Sequence, residues 1–174
     1  MGVRRAMEMV LTEANKSQDP ISTFGPLIHN KQVIELLESK GVTSFKDIRE
    51  FHEGTLVIRA HGIPPDQRKA LRASGLRLID ATCPRVARVQ SIIRYHTKKG
   101  YTAIIVGDRN HPEVIGLLGY GSDRAHVIDS LEEVSRIPDT EKVFLVAQTT
   151  QDEEKYGEIV EAVMARFPDA LTFD

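Results

Sequence analysis

Six residues able to bind anions, move protons or ligate metal follow apolar, strand-like runs in this chain. They are His29, His61, Cys83, His111, Glu113 and Thr149, each directly after such a run or within a short loop of it. Parallel α/β sheets bind ligands at the carboxyl ends of their strands, so this placement marks a common functional edge. His52, His96 and His126 do not share it. Cys83 lies in Thr82-Cys83-Pro84. Thr82 is suited to cap a helix and Pro84 to open it, which puts the thiol at a helix N-terminus, where the dipole favours the thiolate. A small buried cysteine filling a strand–helix corner is the competing reading. The histidines stand beside Gly- or Pro-containing loops and can offer N–H donors to an anion, or simply make a local loop hydrogen bond. Glu113, two residues after His111, is a candidate proton donor if a desolvated site raises its pKa. Thr149 and Thr150 read as part of an anion site or, equally plainly, as helix caps.

The elements that would position these groups alternate between helical and strand-like periodicity, the pattern of an α/β protein with largely parallel strands. Helices are expected over residues 3–17, around Val33 to Leu37 with a stop at Gly41, after Pro65, over 84–99 with a stop at Gly100, and around Tyr156 to Phe167. Strands are expected over residues 21–24, 56–58, 76–81, 103–106, 127–128, 143–146 and 170–173. Thr150 and Glu153 have capping-box spacing for the last helix. The expected fold is two small, mostly parallel sheets flanked by helices, with a first domain over 1–83 and a second over 84–174.

Composition narrows the function classes. The 174 residues are 41% hydrophobic and 28% charged, with a formal net charge of −2 from 23 Lys+Arg and 25 Asp+Glu. That balance gives no footprint of a nucleic-acid binder. No apolar run approaches the roughly 20 residues needed to cross a bilayer, so no membrane partner is expected. The opening Gly2-Val3-Arg4-Arg5 does not resemble a signal peptide. A single cysteine excludes an internal disulfide, and a cytoplasmic location is expected.

Six motifs occur in order: Gly2-Val3-Arg4-Arg5-Ala6, His29-Asn30, Ala60-His61-Gly62, Asp80-Ala81-Thr82-Cys83-Pro84, His111-Pro112-Glu113 and Gln148-Thr149-Thr150. In that order, and over the whole chain, they resemble 4-hydroxy-3-methylbut-2-enyl diphosphate reductase, the iron–sulfur family that ends the non-mevalonate isoprenoid pathway. The resemblance implies a three-domain oxidoreductase, with this chain matching the first two domains. It also implies a 4Fe-4S cluster on three cysteines, reductive loss of an allylic hydroxyl, and electrons from ferredoxin or flavodoxin. Cys83 matches the family's middle cysteine, His29, His61 and His111 its diphosphate-binding histidines, Glu113 its proton donor and Thr149 its substrate-contacting threonine. The family's first cysteine belongs to a Gly-Phe-Cys-x-Gly-Val motif whose x position is Met1 here, and its third follows the strand matched by 171–174. The resemblance therefore implies a chain truncated at both ends, without the third domain, unable to retain the cluster and inactive alone. Two other readings stand beside it: a non-catalytic diphosphate- or anion-binding module, and a mononuclear metal site built from Cys83 and histidines.

Overall fold

A computed structural model describes residues 2–28 and 30–173, the side chain of Ile48 excepted. The chain divides into two compact units, Met1–Pro84 and Arg85–Asp174. The first unit contains α1 (Gly2–Lys16), β1 (Ile21–Phe24), α2 (Lys31–Ser39), β2 (Val42–Phe45), β3 (Thr55–Ile58), α3 (Pro65–Ala73) and β4 (Arg77–Asp80). The second contains α4 (Pro84–Lys98), β5 (Thr102–Val106), α5 (Pro112–Gly121), β6 (Ala125–Ile128), a 3₁₀ segment over Leu131–Arg136, β7 (Val143–Ala147), α6 (Glu153–Arg166) and β8 (Leu171–Thr172).

Both sheets have the same topology. The strand orders are β2-β1-β3-β4 and β6-β5-β7-β8, and every described pairing is parallel. This is the α/β arrangement of two small sheets with flanking helices that the residue pattern implies. In each sheet the connections run outward in opposite directions from one neighbouring strand pair. Those pairs are β1/β3 and β5/β7, and such a reversal leaves a crevice at the strand carboxyl ends.

The strands read as near-continuous apolar runs because both of their faces are covered. In β5 all five residues are buried. Ile104 and Val106 face a core shared with Leu145, Ile159 and Val163, whereas Ala103 and Ile105 face one shared with Ile93, Val114, Leu117 and Phe144. The first unit repeats the scheme with Val57 on one face and Leu56 and Ile58 on the other. Of the three histidines set apart in the sequence, His52 is exposed and His126 lies on β6. His96 packs among aromatics on α4, with ring centroids 5.1 Å from Phe144 and 4.8 Å from Phe173. α4 ends as its sequence implies. Gly100 has φ of 86°, its N–H donates to Thr97 O at 3.0 Å, and Tyr101 N–H donates to His96 O at 3.1 Å. That pair of bonds is a Schellman cap, which needs the left-handed conformation glycine adopts without strain.

Four details differ from the sequence expectations. The strand β2 and the helix α5 stand where the pattern names no element. β2 is a short edge strand with Thr43 and Ser44 exposed between Val42 and Phe45, so it lacks an apolar run. α5 carries Gly116, Gly119 and Gly121, which weaken its helical signal, and it forms because Val114 and Leu117 are buried against the sheet. The cap of α6 is Asp152, whose side chain accepts from Lys155 N–H at 2.9 Å, and not Thr150. α4 begins at Pro84, so Cys83 occupies the position before it, and the Thr82 hydroxyl is turned to Asp80 at 2.5 Å instead of capping the helix.

Because Ile104 is wholly buried in a central strand, Ile104→Ala is expected to destabilise the second unit by about 2–5 kcal/mol. Urea unfolding followed by circular dichroism measures this; a loss below about 1 kcal/mol would contradict the packing described.

Candidate functional site

Of the expected site residues, His61, His111, Glu113 and Thr149 follow strands of the two reversals, and Cys83 follows the edge strand β4. In the second unit, β5 leads into the loop that ends at His111 and into the first turn of α5 with Glu113, and β7 leads directly into Gln148 and Thr149. His111 precedes α5, and its Nδ1 accepts the Glu113 N–H at 3.1 Å. An accepting Nδ1 places the proton of the neutral ring on Nε2, leaving that nitrogen the donor. Glu113 follows Pro112 in the first turn and is 2% exposed. Its Oε1 accepts the Thr149 backbone N–H at 2.7 Å and its Oε2 accepts the Thr149 hydroxyl at 2.8 Å. The sequence-predicted pair Glu113 and Thr149, 36 positions apart, is thus brought into direct double contact.

Beyond the end of β7 lies a cleft of about 680 Å³, lined by Arg85, Arg88, Gln148, Thr149, Gln151 and Tyr156 among others. Arg85 and Arg88 outnumber the one carboxylate of the lining, Glu153, and the cleft that they share with Thr149 is net positive and suited to an anion. Sequence reasoning missed Arg85 and Arg88. Their only sequence signal is two arginines in the first turns of the helix after Cys83. His111 does not line this cleft.

In the first unit, His61 and Cys83 follow β3 and β4, while His29 lies outside the described residues. Backbone bonds stitch three strand-end loops together at Ala60. Its N–H donates to Leu27 O at 3.2 Å, and its carbonyl accepts from Cys83 N–H at 2.8 Å. His61 is the next residue, in a half-buried turn closed by Gly62 N–H donating to Arg59 O at 3.0 Å. The Arg59 side chain reaches back over the Gly25 loop, and burial lowers its pKa from the ordinary arginine value. Cys83 is half-buried. A Cβ on Gly2 would stand 2.5 Å from its sulfur, so the start of α1 lies directly against the thiol and leaves no room for a larger residue.

A polar network holds the segment before Cys83. Asp80 Oδ1 accepts from Thr82 N–H at 3.1 Å and from the Thr82 hydroxyl at 2.5 Å, and Asp80 also pairs with Arg68. Arg68 donates to Thr82 Oγ1 at 3.2 Å, and Arg5 donates to Thr82 O at 3.2 Å. Partial burial acts to raise the Asp80 pKa, but the Thr82 and Arg68 hydrogen bonds and the Arg68 charge outweigh it, and the net shift is downward.

A family model described as LytB protein matches residues 1–174. The chain belongs to the LytB protein family. Among relatives, it is 44% identical to the 4-hydroxy-3-methylbut-2-enyl diphosphate reductase of Aquifex aeolicus, over 91% of this chain and 56% of that protein. It is 39% identical to the protein of the same name from Opitutus terrae, over 99% of this chain and 64% of that one. Among solved structures it superposes on the E-1-hydroxy-2-methyl-but-2-enyl-4-diphosphate reductase of Plasmodium falciparum. That match has a TM-score of 0.94 and 31% identity, covering 99% of this chain and 55% of the other. A further reductase structure, titled as the terminal enzyme of the non-mevalonate pathway, matches with a TM-score of 0.89 and 40% identity, over 99% of this chain and 63% of that one. The chain thus spans between 55% and 64% of the length of these relatives.

The donor set bears on any metal centre. A 4Fe-4S cluster is held by several cysteine thiolates, and Cys83 is the only cysteine among 174 residues. Among the described residues no three His, Cys, Asp or Glu side chains are grouped to hold a metal ion. The residues of this chain do not by themselves fit a cluster, and no described grouping favours a mononuclear ion. Among the described residues no helix is long and apolar enough to cross a membrane.

The Asp80 shift predicts an acid-limb effect. A carboxyl whose folded pKa lies below its ordinary 3.8 stabilises the fold above that pH and loses the contribution as pH falls through the folded value. Asp80→Asn is therefore expected to cost about 1 kcal/mol at pH 7. The gap to the parent protein should narrow below about pH 4 in urea titrations. A pH-independent gap would remove Asp80 from the network's energetics.

Proposed function

We propose that this chain is the diphosphate-binding and proton-delivering part of a 4-hydroxy-3-methylbut-2-enyl diphosphate reductase. The observation that carries the reading is the Glu113–Thr149 pair. A carboxyl 2% exposed sits at the β5/β7 reversal with both oxygens bonded to Thr149, in a chain matched over its whole length to the LytB family.

The reaction proposed for the complete enzyme removes an allylic hydroxyl as water with two electrons and two protons, giving isopentenyl and dimethylallyl diphosphates. In this reading His29, His61 and His111 supply N–H donors to the diphosphate, and His111 can do so from Nε2 while Nδ1 holds its helix. Glu113 holds the proton to be delivered. Thr149 lies on the path from it, because a hydroxyl that donates to a carboxylate can accept from the protonated acid and donate onward. Nearly complete burial keeps bulk water from competing for that proton. Cys83 matches the family's middle cluster ligand, and a cluster would supply the electrons from a ferredoxin or flavodoxin. Because one thiolate does not hold a cubane, its remaining ligands must come from outside these 174 residues, and no step is assigned to it here. A reducing cytoplasm is the compartment that suits a thiolate ligand.

The non-catalytic anion module is the second reading, favoured by Arg85 and Arg88 in the cleft that Thr149 also lines. Both readings expect the chain to bind inorganic diphosphate. His61→Ala and His111→Ala are each expected to weaken that binding about tenfold by isothermal titration calorimetry. Unchanged affinity in both variants would overturn the cradle itself. Cys83→Ala separates the two readings. After anaerobic incubation with iron and sulfide, the reductase reading expects substoichiometric iron and acid-labile sulfide on the parent chain and none on the variant. Equal traces on both would leave only the anion module. A full, stable cluster on the parent chain would refute the statement that one thiolate does not suffice.

A further inference from the structure

The Gln148 side chain crosses the gap between the ends of β5 and β7. Its Oε1 accepts the Asp108 backbone N–H at 3.1 Å, and its Nε2 donates to the Thr150 hydroxyl at 2.9 Å. Neither end of the amide is interchangeable, because Asp108 N–H only donates and so fixes the oxygen toward the β5 loop. The residue is 7% exposed. A Cβ on Gly107 would stand 2.8 Å from both Gln148 Cβ and Oε1. Glycine at 107 is therefore what allows the amide to lie flat across the strand ends.

The next residue, Thr149, spans the same gap in the opposite sense, donating from the β7 loop to Glu113 beyond the β5 loop. Asp108 also anchors that loop from its carbonyl, which accepts His111 N–H at 3.0 Å. Two braces thus join the β7 loop to the segment from Asp108 to Glu113, one by accepting an N–H and one by donating an N–H and an O–H. If the loops slid apart, the buried Gln148 carbonyl would lose the Asp108 N–H at the same time as Glu113 lost Thr149. Half-satisfied buried polar groups are costly, so the two braces reinforce each other.

We infer that Gln148 is a positioning residue: its amide holds the β5 and β7 loops at the separation that lets Thr149 give both its N–H and its O–H to Glu113. This deepens the proton-delivery reading, which assigns Gln148 no role, and it rests on that reading for its functional consequence.

The test uses the 174-residue chain, with Thr149 amide exchange followed by NMR and inorganic diphosphate as the probe. Gln148→Met keeps the length and removes both hydrogen bonds. Gln148→Glu keeps the length and can accept from Asp108 N–H and from the Thr150 hydroxyl turned donor. Gln148→Met is expected to speed Thr149 amide exchange about tenfold, and to shift its amide proton resonance, while the remaining core amides keep their protection. Gln148→Glu is expected to restore Thr149 exchange to within about threefold of the parent. Unchanged Thr149 exchange in Gln148→Met would overturn the inference. So would failure of Gln148→Glu to restore it in a folded chain. If Gln148→Met does not fold, Gln148→Asn carries the test, since its shorter amide cannot reach both partners and the same acceleration is expected. Diphosphate titration separates this from the broader reading. A parent chain that binds no diphosphate ends the cradle, while the exchange data still decide what Gln148 holds.

Discussion

A carboxyl removed from water at a sheet edge must find donors, and the second unit is organised around where Glu113 finds them. Thr149 supplies both, one from its backbone and one from its side chain. That arrangement is possible only because β5 and β7 are neighbours in register, Val106 beside Ala147, with their outgoing loops side by side. The parallel pairing, the burial of both faces of β5 and the short turn into α5 all serve this one closure. The proton path proposed above rests on the same geometry, because the hydroxyl already bonded to the acid is the group placed to receive its proton.

The first unit reaches a comparable end by different means. Its strand ends are tied by backbone groups, with Ala60 linked to Leu27 on one side and Cys83 on the other. Behind Cys83 the side chains of Asp80, Thr82 and Arg68 close on each other. The contrast fits the tasks proposed for the two units. A histidine donor and a thiolate need orientation, which backbone bonds provide, whereas a proton path needs side chains that exchange donor and acceptor roles. Membership of the LytB family and superposition on reductase structures make the repeated reversal a family architecture. These 174 residues contribute a single thiolate to that architecture.

The legibility of these features in the sequence was uneven. The central strands were plain because runs such as Ala103 to Val106 and Val143 to Val146 are apolar on both faces. Edge elements were not: β2 has two exposed polar residues in four, and α5 is diluted by glycines that only burial compensates. Cap assignments failed where several candidates lay within a few residues. Thr150 and Asp152 both have capping chemistry, and Thr150 is taken instead by Gln148. Thr82 was likewise drawn to Asp80, two residues back, by a charge-assisted bond stronger than a neutral helix cap.

What the sequence determined by itself was that His61, Cys83, His111, Glu113 and Thr149 follow strands, at the carboxyl ends of the sheets. Strand periodicity and the residue following each strand are local properties, and the ordered motifs identify the family from that local information. The tertiary structure alone decided which groups meet. Glu113 bonds Thr149 across 36 positions, and Gln148 reaches Asp108 across 40. Those meetings depend on strand order, and strand order is set by how the helices cover both sheet faces, a long-range packing outcome that no local window of residues contains.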